Sequence, residues 1–475
     1  MNKASLLLLA ILLVSFILRI NRLDYPMSQT FAWGDGTRDF LVASHIVRYG
    51  EFPLKGPYNL LEESGIKGSP IYFYILAIPL LVYNHPLTLG LINIFLQALV
   101  LVLIFLIARV AFGTQTALIA LTLFSFNSEI IKQSDYIWQP HLMMPLAYLS
   151  LYLFVKAIFG KEVKLLFLSL TTITLAFAIH NSAFPWLFAL MIAGFFITKN
   201  YFGVLLSIIL PAIILYIQVI LSSEGIKDFP TQTFFGFISN LNFNLDSILN
   251  TFYVNKLFLA ALLLLSTLLY YFKRNHFLLG ALALFLSPIL FASFFDKIRF
   301  HYLMLSSGIF AILIAYLLDK IKFTVLKLLL IFTFVWIFSG QLQFIRDFKR
   351  PLENQKYIDE ISKKIVSQLP NTHSFQVKSY AKDKYTFDYP VLDTILLVPL
   401  EERLNSKLAA VFDDNPFNHV QINEKDFIVL ACYKFQTYQN SDCREDFLKD
   451  NRSYDVIKTL HLSEYISVYL AKYTP

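Results

Sequence analysis

Residues 87–111 read LTLGLINIFLQALVLVLIFLIARVA, and the length of that apolar run decides the fold class. Crossing about 30 Å of hydrocarbon takes about 20 helical residues. Comparable runs lie at 4–20, 116–132, 140–158, 164–180, 183–198, 201–222, 253–272, 276–295, 300–318 and 323–341. The composition agrees. Apolar residues make up 56% of the 475, charged residues only 15%, and Phe alone occurs 47 times; mean hydropathy is +0.58. A soluble chain needs about a quarter of its residues charged to wet its surface. Two cysteines exclude a disulfide-rich scaffold and any Cys-based zinc or iron–sulfur site. The net charge of +7 comes with no basic run or recognition motif, so nucleic acid is not expected as a partner. Membrane lipids are, since basic residues in such chains set topology and meet anionic headgroups.

The first run follows Asn2-Lys3, and no small-residue cleavage site follows it; Arg19, Asn21 and Arg22 come next. It reads as an uncleaved first span rather than a signal peptide. Residues 70–84 (SPIYFYILAIPLLVY) hold two prolines and reach only about 22 Å as a helix. Charge parity decides their role. With 70–84 as a re-entrant or interfacial helix, the loops bearing Arg109, Lys156, Lys161, Lys164, Lys199, Lys273, Arg274, Lys320 and Lys322 share the side of Lys3, as the positive-inside rule asks. Counted as a span, 70–84 would put all of them outside. The expected architecture is a polytopic α-helical membrane protein with about eleven transmembrane helices. Its N-terminus is cytoplasmic, it resides in the plasma (inner) membrane, and a C-terminal extracytoplasmic α/β domain completes it.

The transmembrane domain takes residues 1–341, with a first external loop at 21–86. From 342 the charges become dense, as in RDFKR at 346–350. Leu352, Ile358, Ile361, Ile365 and Leu369 fall at roughly helical spacing. Short β-like runs follow at Phe375–Tyr380, Phe427–Tyr433 and Tyr454–Tyr473, the last a hairpin. Cys432 and Cys443 both lie in this 342–475 domain, where an oxidising compartment permits a disulfide.

The external segments hold the charges that topology does not explain. Residues 34–40 read GDGTRDF, followed by LVASHIVRYGEFP. The stretch 38–49 is expected as a helix with Phe40, Leu41, Ala43, Ile46 and Val47 toward the membrane, and Asp35 just ahead of it. Two carboxylates and an arginine beside a membrane can deprotonate a hydroxyl, hold a divalent cation or orient a phosphate. The plainer reading makes Asp35 or Thr37 an N-cap and Arg38–Asp39 a surface pair.

The run Asp35–Pro53 resembles the first external loop of GT-C glycosyltransferases, in particular the lipid A aminoarabinose transferases and the protein O-mannosyltransferases of family 39. Their pattern is an acidic pair shortly before an Arg, then an amphipathic helix ending in Gly-acidic-aromatic. Here that reads Asp35, Gly36, Thr37, Arg38 and, at the end, Gly50-Glu51-Phe52; a basic-small-Pro stretch at Lys67-Gly68-Ser69-Pro70-Ile71-Tyr72 then opens the interfacial helix. The resemblance covers about residues 1–200 with motifs and is hydropathic beyond. It implies transfer of a sugar from a polyprenyl-phosphate donor to an acceptor glycan, lipid or protein, with Asp35 as the catalytic base and Lys67 and Tyr72 among the substrate contacts. Gly36 departs from the second acidic residue of the pattern, and Asp39, one helical turn on, is the substitute. A divalent metal would fall to Asp35 and Asp39; no cofactor is otherwise implied.

A second loop reads Gln133-Ser134-Asp135-Tyr136-Ile137-Trp138-Gln139-Pro140-His141. It resembles the family's second external loop, an aromatic stretch ending in Asp before the next span. Gln139 aligns with that Asp, and Asp135 and His141 are nearby alternatives. An interfacial aromatic belt with one capping Asp is the competing reading. His180-Asn181 sits between two spans, where a polar pair faces a cavity or serves as packing. The loop Asp296-Lys297-Ile298-Arg299-Phe300-His301-Tyr302 places two cations outside, against the topological rule. An anion such as a lipid phosphate fits Arg299, with Arg38 and His301 as helpers; snorkelling toward headgroups is the alternative. Two other function classes stand beside the transferase. A secondary transporter would use midplane ionisable groups and inverted repeats, which are not visible, and an envelope assembly protein would need none of these residues to converge.

Overall fold

The computed structural model describes residues 3–23, 35–50, 52–53, 56, 69–134, 137–198, 276–292, 300–339, 362–367, 375–380, 427–433, 454–461 and 466–474, with isolated positions at 204, 205, 209, 213 and 360. These form two compact units. One comprises Met1–Arg22, Gly56–Tyr72 and Leu91–Lys349, the other Leu23–Lys55, Phe73–Gly90 and Arg350–Pro475.

The helices follow the apolar runs. In chain order they are α1 (Lys3–Ile20), α2 (Asp35–Tyr49), α3 (Ile71–Leu80), α4 (Pro86–Phe112), α5 (Thr114–Ser125), α6 (Ser128–Lys132), α7 (Gln139–Gly160), α8 (Val163–Ile179), α9 (Phe184–Thr198), α10 (His276–Ala292), α11 (Phe300–Asp319) and α12 (Thr324–Phe338). By length and composition α4 and α7 are long and apolar enough to cross a membrane. The expected spans at 201–222 and 253–272 fall almost wholly outside the described residues, as does most of the amphipathic stretch 352–369.

One expected span is corrected. Residues 116–132 are not a single helix, because Asn127 stops one and starts another. Its backbone is extended and its side chain accepts from Glu129 N and Ile130 N, which satisfies two orphan donors of a new helix end. The preceding boundary has its own cause. Gly113, between α4 and α5, sits at φ 99°, a conformation that side chains with a Cβ resist.

In the first unit α7 packs on α8, and α11 packs on α5, α10 and α7; α9 meets α8 and α10, and α1 runs along α5. Polar groups at these seams are small and locally satisfied. Ser150 Oγ donates to Ser169 O at 2.7 Å and Ser169 Oγ to Ser150 O at 2.8 Å, a reciprocal pair that clasps α7 to α8. Tyr148 Oη donates to Leu305 O at 2.6 Å over Gly308. Trp186 Nε1 donates to Leu284 O at 3.0 Å, and Ser306 Oγ to Phe285 O at 2.9 Å. At the ends of α5, α11 and α12, Thr116 Oγ1 donates to Asp319 Oδ2 at 2.9 Å while Lys327 pairs with Asp319 at 3.8 Å.

The second unit contains α2, most of α3, and a four-stranded sheet of β1 (Phe375–Tyr380), β2 (Phe427–Tyr433), β3 (Tyr454–His461) and β4 (Ile466–Tyr473) in the order β1-β2-β4-β3. The strands fall on the three β-like runs, and the last run is the expected hairpin. β1 and β2 are parallel, while β4 is antiparallel to both β2 and β3, with a register shift between Val456 and Lys458. Cys432 is in β2; Cys443 lies outside the described residues.

Candidate functional site

In the second unit, α2 begins at Asp35 itself, so Asp35, Gly36, Thr37 and Arg38 form its first turn rather than preceding it. Asp35 and Asp39 stand at i and i+4, a spacing that puts them on one helical face. Asp39 is completely buried, which corrects the surface-pair reading for this residue. The buried face also differs from the expected one. Phe40, Val42 and Ala43 are buried together with Ser44 and His45, whereas Ile46 and Val47 are only half-buried. A face that mixes a carboxylate, a hydroxyl and an imidazole with apolar groups is packed against protein rather than presented to lipid. Beyond Gly50, at φ 65°, Tyr74 Oη donates to Pro53 O at 2.6 Å, and Phe52 lies edge-on to the Tyr74 ring at 6.0 Å. These contacts hold the end of the α2 segment to α3. Tyr72 is fully buried.

The second candidate segment belongs to the first unit. Trp138 is the N-cap position of α7, and Gln139 and His141 lie in its first turn, where Pro140 loses no helical hydrogen bond. All three are buried, which corrects the picture of an interfacial aromatic belt at Trp138. The Trp138 and His141 rings meet edge-to-face at 6.5 Å. His141 Nε2 is 2.9 Å from Gln133 Oε1 and donates to it.

Behind this turn lies a polar cluster in the helix interior. Asn93 Nδ2 donates to Gln133 O at 2.7 Å, and Gln97 Nε2 donates to the same carbonyl at 3.4 Å. Gln97 Oε1 accepts from Ser134 Oγ at 3.1 Å and from Arg19 Nε at 2.7 Å. Gln97 and His141 also line a cavity of about 10 Å³ with Val100, Phe124, Ile130, Met144 and Met304. That is room for about one water. Sequence reasoning did not single out Arg19, Asn93, Gln97 or Gln133. The signal was present: an amide at i and another at i+4 inside an otherwise apolar helix mark an inward polar stripe.

His180 caps the end of α8 and is buried. Its Nδ1 is 2.8 Å from Ser182 Oγ and accepts from Ser182 N at 3.2 Å, holding the turn into the short 3₁₀ helix Asn181–Ala183. His301 is in the first turn of α11. Lys67, Asp135, Tyr136 and Arg299 lie outside the described residues. Among the described residues no group of three or more His, Cys, Asp or Glu could hold a metal ion.

No family model matches the sequence, and no curated protein does. Solved structures do. The crystal structure of ArnT from Cupriavidus metallidurans bound to undecaprenyl phosphate superimposes with a TM-score of 0.62 at 11% identity, covering 98% of this chain and 97% of that one. The apo form of the same protein gives 0.60 at 10% identity, over 99% and 98%. The oligosaccharyltransferase of Archaeoglobus fulgidus, in complex with zinc and sulfate, gives 0.48 at 12% identity, over 88% of this chain and 67% of that one. The chain therefore shares the fold of ArnT along nearly its whole length.

Proposed function

We propose that this protein is a membrane glycosyltransferase that moves a sugar from a polyprenyl-phosphate donor to an extracytoplasmic acceptor with inversion. The observation that carries the reading is the match to ArnT over 98% of this chain, in a structure whose bound molecule is a polyprenyl phosphate. The membrane domain spans 1–341 with about eleven helices, the N-terminus is cytoplasmic, and residues 342–475 form the external domain that selects or covers the acceptor.

Asp35 is the general base. Its carboxylate takes the proton of the acceptor hydroxyl as that oxygen attacks the anomeric carbon. The new glycosidic bond forms as the bond from the anomeric carbon to the phosphate oxygen breaks, and the polyprenyl phosphate leaves with the electron pair. Arg299, aided by Arg38 and His301, neutralises the charge that develops on that phosphate. Asp135, Tyr136, Trp138, Gln139, His141, His180, Lys67 and Tyr72 line the substrate side. A divalent ion, if used, would take Asp35 and Asp39 and serve to hold phosphate oxygens.

The test is incubation of the purified protein with prenyl-phosphate sugars and candidate acceptors, with and without EDTA, read by mass spectrometry. Glycosylated acceptor together with free prenyl phosphate is the expected result. Intact donor across a panel of hexose and pentose donors, from a protein that binds undecaprenyl phosphate, would refute it. A transporter would instead show a pathway labelled from both sides by substituted cysteines.

A further inference from the structure

Arg19 is the one guanidinium on α1 that is wholly buried, and among the described residues no carboxylate pairs with it. Its partners are neutral. Nη1 donates to Ser15 O at 3.1 Å, to Ser125 O at 3.3 Å and to Ser15 Oγ, while Nε donates to Gln97 Oε1. Among the described residues Nη2 has no hydrogen-bond partner. Ser125 is the last residue of α5, so its carbonyl belongs to a helix end that lacks intrahelical donors and carries partial negative charge. That end and the last turn of α1 provide what compensation the cation has. A buried cation balanced only by carbonyl dipoles is expensive, and such residues in membrane helices persist for function.

What Arg19 does can be traced bond by bond. An amide side chain can present either end, but a guanidinium has donors only. Arg19 therefore forces Gln97 to turn Oε1 toward it, and the same oxygen accepts from Ser134 Oγ. Nε2 is then left facing Gln133 O, which Asn93 also holds. With the amide reversed, two carbonyl oxygens would face each other. Gln133, its backbone so clamped, reaches with its side chain to His141 in the first turn of α7. The segment between is the second external loop, with Trp138 packed on His141 at its end.

We propose that Arg19 is a positioning residue that, through Gln97, fixes Gln133 and with it the start of α7 at Trp138 and His141. The proposal rests on the glycosyl-transfer reading for its consequence in turnover, though not for its structural content. Displacing substrate-facing groups by about 1 Å costs on the order of 100-fold in rate.

The experiment uses the full chain in nanodiscs labelled with 5-fluorotryptophan. The four tryptophans give four fluorine resonances, and Trp138→Phe assigns the one of interest. In Arg19→Met and in Gln97→Leu the Trp138 resonance moves to the same new position, and the double variant matches the singles, because both break one link. Gln97→Glu keeps the acceptor for Arg19 and Ser134 but sets a second oxygen against Gln133 O where Nε2 had donated, so the Trp138 resonance moves there too. Trp186 and Trp336 do not move in any of them. An unmoved Trp138 in Arg19→Met, a double variant that adds the two shifts, or movement of all four resonances would overturn the assignment. With a prenyl-phosphate sugar as donor, kcat falls about 100-fold in Arg19→Met and in Gln97→Leu alike. Absence of turnover in the unaltered protein refutes the transferase reading and leaves the fluorine result to judge Arg19 by itself.

Discussion

Gly308 tests whether the packing of α7 against α11 is as tight as the structure has it. A Cβ built there collides with Tyr148 Oη and comes to 2.7 Å from Tyr148 Cζ and 2.9 Å from Ile104 Cδ1. Tyr148 has nowhere to retreat. It is fully buried, its hydroxyl donates to Leu305 O at 2.6 Å, and Trp186 stands edge-on to its ring at 5.2 Å. Gly308→Ala must therefore displace the ring. Overpacking of this kind costs about 1–3 kcal/mol, and orphaning a buried hydroxyl costs about 1–3 kcal/mol more. Alanine returns about 1 kcal/mol of helix propensity, so the net loss is about 1–5 kcal/mol. Thermal unfolding in detergent, followed by tryptophan fluorescence, reads it as a Tm lower by several degrees. Tyr148→Phe in the same background removes the worst contact but leaves the one at Cζ, so the double variant recovers only part of the loss, an interaction of about 1–2 kcal/mol. A Tm for Gly308→Ala equal to that of the parent would refute the packing argument.

Other predictions follow from single contacts. Asp35→Asn lowers transfer by 100-fold or more, an effect on the order expected for a lost general base, with unchanged expression and undecaprenyl phosphate binding; full activity would remove Asp35 from its role. Ser150→Ala breaks the reciprocal clasp to Ser169 and lowers stability by about 0.6–2 kcal/mol, read as a lower Tm. Asn127→Ala removes the N-cap of α6 at about 1 kcal/mol, and hydrogen exchange of Glu129 and Ile130 rises while that of α4 does not.

Hydropathy found most helices because it averages over about 20 residues, and a helix in lipid is defined by that average. The same averaging hides what one residue does. Asn127 splits an apolar stretch by a local hydrogen bond that competes with the helix, and no window mean registers it. Asn93 and Gln97 vanish into α4, the longest of the described helices, although their spacing aims both at Gln133. The plainer reading of Asp39, as half of a surface pair with Arg38, rests on a carboxylate beside an arginine normally being solvated. Its burial is decided by how α2 packs, which depends on residues far away in sequence. The β-strands were legible for the opposite reason. Phe427–Tyr433 and Ile466–Tyr473 are short, aromatic and β-branched, and pair over their full length.

The direction of the helices can be argued from hydrogen bonds without any appeal to hydropathy. Only Gly113 separates α4 from α5, so the end of one meets the start of the other. Thr116 and Asp319 bring the end of α11 to that same level, and Lys327 the start of α12. Arg109, Lys320 and Lys322 belong to these ends, the basic pole of the bundle. Arg19, at the end of α1, meets Ser125, at the end of α5, so α1 and α5 run the same way and α4 runs opposite to both. The end of α1, the end of α5 and the N-terminal half of α4 therefore lie at the pole away from the basic residues. His141, bonded to Gln133, starts α7 at the same pole; α8 returns there to His180, and α11 begins there with Phe300 and His301. The starts of α7 and α11 and the end of α8 thus lie at one end of the first unit, and Arg109, Lys320 and Lys322 at the other. A transporter would need its ionisable groups between the two poles; Arg19, a buried cation, instead lies at one of them, bonded to Gln97 and to the end of α5.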